Sequence, residues 1–321
     1  MNWVDWRDGY INRLLEAGID DPTTEIREII ARVTGKRGAL LLFEKGNRVE
    51  DLLTNEELSL IEDAVGRRVA REPVDYVFGE AFFYRDSFFV GPGVLVPRRE
   101  SELLVGAALR VLGVDTNFLF GRFEDVPLLS SAEGSGMIRI FDLCTGSGCI
   151  GISISNVLSN YLVSYRTALT EQSPDAAVYA NRNIAAAREP QFLRLFQCDL
   201  FPEPDELAAW WGEEPADLIV ANPPYITDAE IDGLMPEVSR YEPRIALSGG
   251  PDGLQVYRLI LRRVRGMLRP GGLVVFEHGY DQRESLAKLL FEYGFRDIVC
   301  IRDYDDNDRV TAARYCPEAA L

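Results

Sequence analysis

Histidine is almost absent from this chain: His278 is the single example among 321 residues. A metal site that needs several histidines is therefore excluded. The five cysteines show no spacing typical of a zinc site, and an odd number of cysteines in a long chain indicates reduced thiols. We therefore expect no bound metal and a cytoplasmic location.

Basic residues and long apolar runs are also scarce. Lys and Arg number 34 against 51 Asp and Glu, which gives a net charge of −17. Tight binding to a phosphate backbone needs clustered basic residues, so no direct nucleic-acid partner is expected. No stretch approaches the roughly 20 apolar residues of a membrane span, and the opening "MNWVDWRDGY" lacks the apolar core of a signal peptide. No membrane association is expected.

The N-terminal part of the sequence shows the spacing of apolar residues that is typical of helices. Apolar residues recur at helical spacing over 3–15 and 26–33. Residues 54–57, "TNEE", match a capping box that opens a third helix, and Pro73 marks its end. These patterns predict a small N-terminal helical domain over residues 1–73.

The next segment changes character. Residues 80–97 are aromatic and β-branched, and 85–87 read as a turn, which predicts a β-hairpin within a linker over 74–98. The remaining 99–321 would form the catalytic domain. Within it, the Ser- and Gly-containing stretch 113–136 is predicted to be a mobile insertion.

Strand and helix patterns alternate after this insertion. Helices such as 174–187, 254–267 and 282–293 separate the predicted strands, and the segment "FRDIVCIRDYDDNDRVTAARY" reads as an antiparallel pair on the sheet edge. The alternation predicts an α/β fold, a parallel Rossmann-like sheet with helices on both faces and a terminal antiparallel hairpin. The predicted strands span 138–143, 166–170, 193–197, 217–221 and 272–277.

A glycine-rich turn follows the first of these strands, in "IRIFDLCTGSGCIGISIS". Gly146, Gly148 and Gly151 fit the G-x-G-x-x-G spacing, which lets the backbone approach a nucleoside-like ligand. Glu171, at the end of the second strand, is placed for a ribose hydroxyl. Asp199, at the end of the third, can accept a hydrogen bond from an adenine amino group. A nicotinamide dinucleotide and S-adenosylmethionine both fit these features, so the loop alone does not choose between them.

The buried run 217–221 stops at Asn222, Pro223, Pro224 and Tyr225. The nitrogen of an amide or aromatic amine is a poor nucleophile, and methyl transfer to it needs acceptors that take its hydrogens and aim its lone pair. The Asn222 side-chain oxygen and the Pro223 carbonyl can be those acceptors, and the prolines hold them rigidly. Tyr225 offers a flat face for a planar amide or base. The motif therefore favours N-methylation by positioning.

Taken together, "DLCTGSG", "NPPYI" and "EPRIALSGGPDGL" closely resemble the PrmC/HemK family, S-adenosylmethionine-dependent methyltransferases of release-factor glutamine. The resemblance extends to "REPVDYVFGEAFFYRDSFFV" and "VLVPRRESELLV" upstream, and to "LRPGGLVVFEHG" and "RDYDDNDRV" downstream. It implies a class I methyltransferase sheet preceded by a helical domain that recognises the body of the release factor.

The resemblance also implies a reaction and its residues. A methyl group would pass from S-adenosylmethionine to the glutamine of a Gly-Gly-Gln motif, giving N5-methylglutamine and S-adenosylhomocysteine. The cofactor-binding residues would be Cys144, Thr145, Gly146, Ser147, Gly148, Glu171, Asp199, Leu200 and Asn222. The catalytic and substrate-binding residues would be Asn222, Pro223, Pro224 and Tyr225.

This chain departs from the family pattern at a few positions. Cys144 stands where the family usually has glycine, and Glu171 replaces the more usual aspartate. Ser101 takes the place of a more usual threonine, and Asp306 lies where glycine is common in the last hairpin. None of these changes removes a residue that the expected reaction uses.

Four other functions remain open on the sequence. The chain could methylate a glutamine of a ribosomal protein, or the amino group of a nucleic-acid base, although its charge opposes the latter. A nicotinamide dehydrogenase would leave residues 222–225 unexplained. A catalytically silent binding module for translation factors is disfavoured by the intact Asn-Pro-Pro-Tyr.

Overall fold

The computed structural model describes residues 1–35, 47–114, 123, 125–129, 136–161 and 163–317. These residues fall into two compact units, one of Met1–Glu80 with Met235–Tyr241 and the other of Ala81–Leu234 with Glu242–Leu321. Most of the predicted insertion 113–136 lies outside the described residues. The assignment of 1–73 to recognition, 74–98 to a linker and 99–321 to catalysis stays a prediction.

The first unit is helical, as the apolar spacing predicts. Two helices, α3 and α5, were missed because four or five residues are too short to show a helical period. Trp3, Ile29 and Ile61, from three different helices, lie in one buried cluster. The helices are α1 (Trp3–Glu16), α2 (Pro22–Thr34), α3 (Val49–Leu52), α4 (Asn55–Val69) and α5 (Val74–Phe78).

The segment Met235–Tyr241 joins this unit through ion pairs although it is remote in sequence. Glu237 pairs with the Arg71 guanidinium at 2.6 Å and with that of Arg68 at 3.1 Å. Arg68 is 4% exposed and also pairs with Glu25. The Tyr241 hydroxyl donates to the Ala70 carbonyl at 2.7 Å. Because these charges are shielded from water, the pairs are stronger than surface ion pairs.

The predicted hairpin is present, and all but its first residue belong to the second unit; its strands are β1 (Glu80–Phe83) and β2 (Asp86–Phe89). Its turn lies at Tyr84 and Arg85, so the predicted turn at 85–87 was placed too late. Phe83 and Phe88 are both buried, with ring centroids 6.1 Å apart. A two-residue turn brings both rings to the same face of the hairpin, since side chains alternate along a strand.

A seven-stranded sheet forms the centre of this unit, in the order β5-β4-β3-β6-β7-β9-β8. Strands β3 to β7 are parallel, and β9 is antiparallel to both β7 and β8. The predicted α/β sheet with a terminal antiparallel hairpin is therefore confirmed, with β9 inserted between β7 and the edge strand β8. The strands are β3 (Met137–Leu143), β4 (Ser164–Glu171), β5 (Leu193–Gln197), β6 (Ala216–Ala221), β7 (Leu268–Glu277), β8 (Phe295–Arg302) and β9 (Asp308–Tyr315).

Helices cover both faces of this sheet because its central strands are apolar on both. In β6, Leu218 and Val220 belong to one buried cluster, and Ile219 and Ala221 belong to the other. The first cluster includes residues of α6 and α7, and the second includes residues of α9, α10 and α11. The helices are α6 (Glu102–Val111), α7 (Cys149–Leu158), α8 (Pro174–Ala186), α9 (Pro204–Trp211), α10 (Gln255–Arg263) and α11 (Arg283–Glu292).

One boundary differs from the sequence prediction. The helix expected over 254–267 ends at Arg263, and the strand expected from 272 begins at Leu268. A proline followed by two glycines at 270–272 is typical of a turn, so the sequence does not predict a strand before 272. The structure accommodates them where the β6–β7 register shifts between Ala216 and Leu218. Across the described ranges, no helix combines the length and apolar character needed to cross a membrane.

The capping box at α4 is confirmed and can be tested. The Thr54 hydroxyl accepts from the Glu57 amide at 3.1 Å, and the Glu57 carboxylate accepts from the Thr54 amide at 2.7 Å. Thr54→Ala should destabilise the start of α4 by about 1 kcal/mol. Hydrogen-exchange mass spectrometry should then show about fivefold faster exchange of the first α4 amides.

Ser59→Ala is the matched control, because Ser59 is exposed within the same helix and alanine has the higher helix propensity. It should leave exchange unchanged or slow it. Equal rates in Thr54→Ala and the unmodified chain would show that the box does not stabilise the helix.

Candidate active site

Four strand ends meet at one edge of the sheet. Leu143 is in register with Thr170 on one side and with Ala221 on the other, and Glu171 pairs with Gln197. Because β5, β4, β3 and β6 are parallel neighbours, the loops after them emerge side by side. This is the edge at which open α/β sheets bind their ligands.

These loops line a cavity of about 610 Å³. Its lining includes nine of the predicted site residues: Cys144, Thr145, Gly146, Ser147, Glu171, Asp199, Leu200, Asn222 and Pro224. Gly148, Pro223 and Tyr225 were also predicted but are not in the lining. Two further segments, 94–101 and 243–259, also contribute lining residues. The sequence analysis did not assign these residues to the site.

The loop after β3 turns through left-handed backbone conformations. Cys144, Gly146 and Gly148 have φ values of +56°, +56° and +85°. A side chain at such a φ is strained, so the backbone at position 144 favours glycine, the residue that the resemblance leads us to expect there. The Thr145 amide donates to the Thr170 carbonyl at 3.0 Å and ties the loop to β4. The surrounding structure therefore holds Cys144 in a backbone conformation that is unfavourable for a residue with a side chain.

Asp142 anchors this loop from inside β3, and the sequence analysis missed it. Its Oδ2 accepts from the Thr145 hydroxyl at 2.5 Å and from the Gly151 amide at 2.8 Å. A Cβ on Gly151 would lie 2.8 Å from the same oxygen, so only glycine allows α7 to start this close. Burial raises the pKa of Asp142 to about 7, although both hydrogen bonds lower it. The signal available in the sequence was an acid near the carboxyl end of a largely apolar strand.

Glu171 lines the cavity and fixes two pieces of backbone. Its Oε2 accepts from the Gly146 amide at 3.0 Å, and its Oε1 accepts from the Ser173 amide at 2.8 Å. Burial raises the pKa of Glu171, and the backbone hydrogen bonds oppose that rise. Each carboxylate oxygen keeps lone-pair capacity for a second donor. The side chain can therefore accept hydrogen bonds from a ligand diol.

Asp199 is less constrained. Its side chain is 59% exposed and lies 3.5 Å from the Arg263 guanidinium. Such an exposed pair contributes little energy, so the carboxylate remains available to a ligand donor. Leu200 follows it at a φ of +67° and is buried while still lining the cavity.

Asn222 is held by Ser101, a residue that the sequence analysis did not assign to the site. Its Nδ2 donates to the Ser101 hydroxyl oxygen at 3.1 Å. Ser101 is 2% exposed and ends a short 3-10 helix (Arg99–Ser101) before α6. With the nitrogen engaged, Oδ1 is the end of the amide that can accept from a ligand.

Tyr225 points its hydroxyl at Glu277, which lies 3.4 Å away and ends β7. Burial and the Glu277 carboxylate both raise the pKa of Tyr225. Its backbone is enclosed: a Cβ on Gly249 would lie 2.7 Å from the Tyr225 Cα, and one on Gly253 would lie 2.4 Å from its carbonyl oxygen. The glycines of "SGGPDG" thus allow this loop to pack directly on the Asn-Pro-Pro-Tyr backbone.

His278 lies in the core and contacts other protein groups. It is fully buried, with Nδ1 2.8 Å from the Gly279 carbonyl and Nε2 2.9 Å from the Thr311 hydroxyl. Burial lowers the pKa of His278, so the ring is neutral at pH 7. The five cysteines are free thiols, and burial raises the pKa of Cys198 to about 11. In the described part of the chain, no cluster of His, Cys, Asp or Glu could hold a metal ion.

The lining residues fit S-adenosylmethionine. A Cβ built on Gly146 would meet only Val94, at 3.8 Å, so the loop leaves open space where a nucleoside could approach. Ile150, Leu200 and Leu259 are apolar lining residues, and Glu171 adds a carboxylate that can accept hydrogen bonds. This combination of apolar walls and few polar groups is typical of a cofactor site.

The buried Asp142 carboxyl predicts a pH dependence of stability. Between about 4, the ordinary value for aspartate, and about 7, the folded chain binds more protons at Asp142 than the unfolded chain. The free energy of unfolding should therefore fall as pH rises through this window, by up to about 1.4 kcal/mol per pH unit. Asp142→Asn keeps an acceptor oxygen but cannot titrate, so urea unfolding should show a shallower slope.

Asp305→Asn is the control, because Asp305 is an exposed aspartate in the last turn. This variant should retain the slope of the unmodified chain. The interpretation fails if Asp142→Asn retains it too.

Comparison with known proteins identifies the family and supports the fold. Residues 5–79 match the family model of the PrmC N-terminal domain. Among solved structures, the chain resembles the hMettl16 catalytic domain in complex with the MAT2A 3'UTR hairpin 6. The TM-score is 0.51 with 12% identity over 82% of each chain, which supports the fold alone.

Several relatives match almost end to end. The chain is 34% identical to the release factor glutamine methyltransferase of Geobacter sulfurreducens, over 97% of this chain and 95% of that protein. It is 35% identical to the protein of that name from Chlorobaculum tepidum, over 92% of this chain and 90% of that protein. It also spans 54% of a bifunctional methyltransferase of Rickettsia prowazekii, at 31% identity. The chain therefore belongs to the release factor glutamine methyltransferase family.

Proposed function

We propose that this protein transfers a methyl group from S-adenosylmethionine to the side-chain amide nitrogen of the glutamine in the Gly-Gly-Gln motif of peptide chain release factors. The observation that carries the proposal is the hydrogen bond from the Asn222 nitrogen to Ser101. It leaves Oδ1 as a fixed acceptor where β6 ends, beside the glycine loop. A fixed acceptor at this place is what an incoming amide needs.

The chemistry follows from how an amide nitrogen reacts. Its lone pair is delocalised into the carbonyl group, so it attacks carbon poorly unless its N–H groups are bound and its plane is held. Asn222 Oδ1 and the Pro223 carbonyl would accept those two N–H groups. The adjacent prolines restrict the backbone, so little entropy is lost when the substrate amide is aligned. S-adenosylmethionine supplies the methyl group, and the amide proton that is displaced leaves to solvent.

The cofactor would lie against the glycine loop. Glu171 would accept the ribose hydroxyls, and Asp199 would accept the adenine amino group. The loops after β3 and β5 contain the positive-φ residues Gly146 and Leu200, at which the backbone could approach the cofactor closely. These assignments rest on cavity lining and on hydrogen-bonding capacity.

The partner would be recognised elsewhere in the chain. We assign recognition of the release-factor body to the N-terminal helical domain, residues 1–73. Residues 222–225, at the edge of the cavity, would bind the glutamine of the Gly-Gly-Gln motif. The reaction would take place in the cytoplasm, where release factors act on ribosomes.

A methyl-transfer assay tests the function. The purified protein, S-adenosylmethionine and unmethylated release factor should give one added methyl group on the Gly-Gly-Gln glutamine, read by mass spectrometry of the peptide. Asn222→Ala should reduce kcat at least ~100-fold, the scale of losing one positioned polar group.

Asn181→Ala is the matched control, since Asn181 lies on the exposed face of α8 and its side chain donates to the Ala177 carbonyl of the same helix. It should turn over at the normal rate. Methylation of a ribosomal protein or a nucleic-acid base, with no change to release factor, would replace the proposed substrate. Near-normal turnover by Asn222→Ala would remove the proposed role of Asn222.

Glu171 can be tested through binding. Glu171→Ala should weaken S-adenosylmethionine binding at least ~10-fold, because charged hydrogen bonds to a diol are lost. The kcat at saturating cofactor should change less, since a ribose contact stabilises ground state and transition state alike. Isothermal titration calorimetry measures the dissociation constant.

Glu203→Ala removes an exposed acid near the same edge that does not line the cavity, and it should bind normally. An unchanged dissociation constant in Glu171→Ala would refute the ribose assignment. Binding of a nicotinamide dinucleotide in place of S-adenosylmethionine would favour a dehydrogenase.

A further inference from the structure

We infer that Arg98 binds the α-carboxylate of S-adenosylmethionine and so selects a cofactor with an intact amino-acid end. The inference deepens the proposed function, since it rests on S-adenosylmethionine as the cofactor. Arg98 lines the cavity from a segment outside both the glycine loop and the Asn-Pro-Pro-Tyr motif.

The charges around the cavity point to this residue. Among the described residues, the lining includes two cationic side chains, Arg98 and Arg244, and two carboxylates, Glu171 and Asp199. S-adenosylmethionine brings a further carboxylate into this space. A carboxylate that leaves water is costly unless a cation or several donors compensate it. The two arginines are therefore the side chains to compare.

Arg244 is already bonded to neighbouring groups. Its Nη1 donates to the Asp232 carboxylate at 2.9 Å, and its Nη2 donates to the Asp228 carbonyl at 3.2 Å. Its side chain is also 54% exposed. A guanidinium that is so largely solvated and so engaged has little to gain from a ligand carboxylate.

Arg98 retains donors that a ligand can use. In the described part of the chain its guanidinium makes one hydrogen bond, from Nη2 to the Glu242 carboxylate. A guanidinium carries several N–H donors in a planar fork, so Nε and Nη1 can still donate. The Glu242 side chain is 1% exposed and that of Arg98 is 35% exposed. Glu242 thus holds the guanidinium from the core and leaves its other edge accessible.

Glu242 also fixes the backbone that carries the arginine. Its Oε1 accepts from the Val96 amide at 3.2 Å, while its Oε2 accepts from Arg98. One buried carboxylate therefore sets both the segment and the side chain. A guanidinium that is ordered in advance loses little freedom when a ligand binds. Glu242 is accordingly a positioning residue for Arg98.

The place of Arg98 matches the end of the cofactor that carries the carboxylate. With the adenosine against Glu171 and Asp199, the methionine part must extend across β3 toward β6 for the methyl group to reach Asn222. Arg98 lies on the β6 side of the cavity. Its carbonyl accepts from the Ser101 amide at 3.1 Å, and the Ser101 hydroxyl oxygen accepts from the Asn222 side chain at 3.1 Å. An ion pair there would hold the methionine part beside the acceptor.

Two ligands that differ only in the carboxylate test the inference. Decarboxylated S-adenosylmethionine keeps the adenine, ribose and sulfonium groups but is the more cationic of the two. The net charge of −17 would by itself favour this ligand, so a preference for the intact cofactor requires a local cation. Isothermal titration calorimetry should show that the unmodified chain binds S-adenosylmethionine at least ~10-fold more tightly, the scale of a charged hydrogen bond.

The variant that removes the cation must not strand its partner. Arg98→Met alone would leave Glu242 as an unpaired buried charge, which is strongly destabilising. We therefore combine Arg98→Met with Glu242→Gln, a replacement that retains an acceptor oxygen for the Val96 amide. Glu242→Gln alone is the background variant and should keep the preference for S-adenosylmethionine. The double variant should bind the two ligands equally or prefer the decarboxylated one.

Arg244→Met is the matched control, because it removes the other lining cation and changes the net charge by the same amount. It should keep the ratio of the two dissociation constants found for the unmodified chain. Thermal unfolding of every variant confirms that it is folded at the temperature of the titration.

The outcomes separate this inference from the proposed function. Equal binding of the two ligands by the unmodified chain, or a preference retained by the folded double variant, would overturn the inference. An equal loss of preference in Arg244→Met would replace it with a general effect of charge. The titrations need no release factor, so a chain that shows the preference but methylates no release factor would count against the proposed substrate alone.

Discussion

The Asp142 carboxylate joins the three pieces of backbone on which the cavity depends. It lies within β3 and accepts hydrogen bonds from the glycine loop, at Thr145, and from the start of α7, at Gly151. The strand, the loop and the helix are thereby fixed to one oxygen atom. Only with the loop in this position does the Gly146 amide reach Glu171. The hydrogen bond between Gly146 and Glu171 therefore depends on the hydrogen bonds that Asp142 accepts.

The edge of the sheet carries three buried or nearly buried carboxyl groups, Asp142, Glu171 and Glu277, at the ends of β3, β4 and β7. Burial raises the pKa of each one. Removing a carboxylate from water is costly, so the large apolar core must offset these groups. At least one oxygen of each accepts from an amide or hydroxyl donor, and in a low-dielectric setting such bonds are directional and strong. The site is thus rich in fixed acceptors, which suits a transfer that depends on alignment of an amide.

Much of this fold is readable from the sequence because its signals are local. Apolar runs bounded by glycine, proline or polar residues predicted the parallel strands, and the capping box at residues 54–57 predicted the start of α4. The short helices α3 and α5 and the true start of β7 were not predictable in the same way. They depend on packing by distant segments, and a proline with two glycines imitates a turn.

The candidate site shows the same division. Glu171 and Asn222 stand directly at strand ends, where a linear reading finds them. Ser101 could not be linked to Asn222 from the sequence, because the two residues lie 121 positions apart. Cys144 illustrates a third case: the family pattern marks it as unusual, and the backbone φ of +56° supplies the reason.

The segment Met235–Tyr241 makes the helical unit discontinuous in the chain. It leaves the sheet-containing unit after the Asn-Pro-Pro-Tyr loop and returns to it just before the glycine-rich loop that packs on Tyr225. No single cut in the backbone separates the two units, so neither could be gained, lost or exchanged as a simple terminal module. A chain that lost its first 80 residues would keep Glu237 without Arg68 and Arg71, exposing an orphaned acid within the very stretch that connects the two site loops.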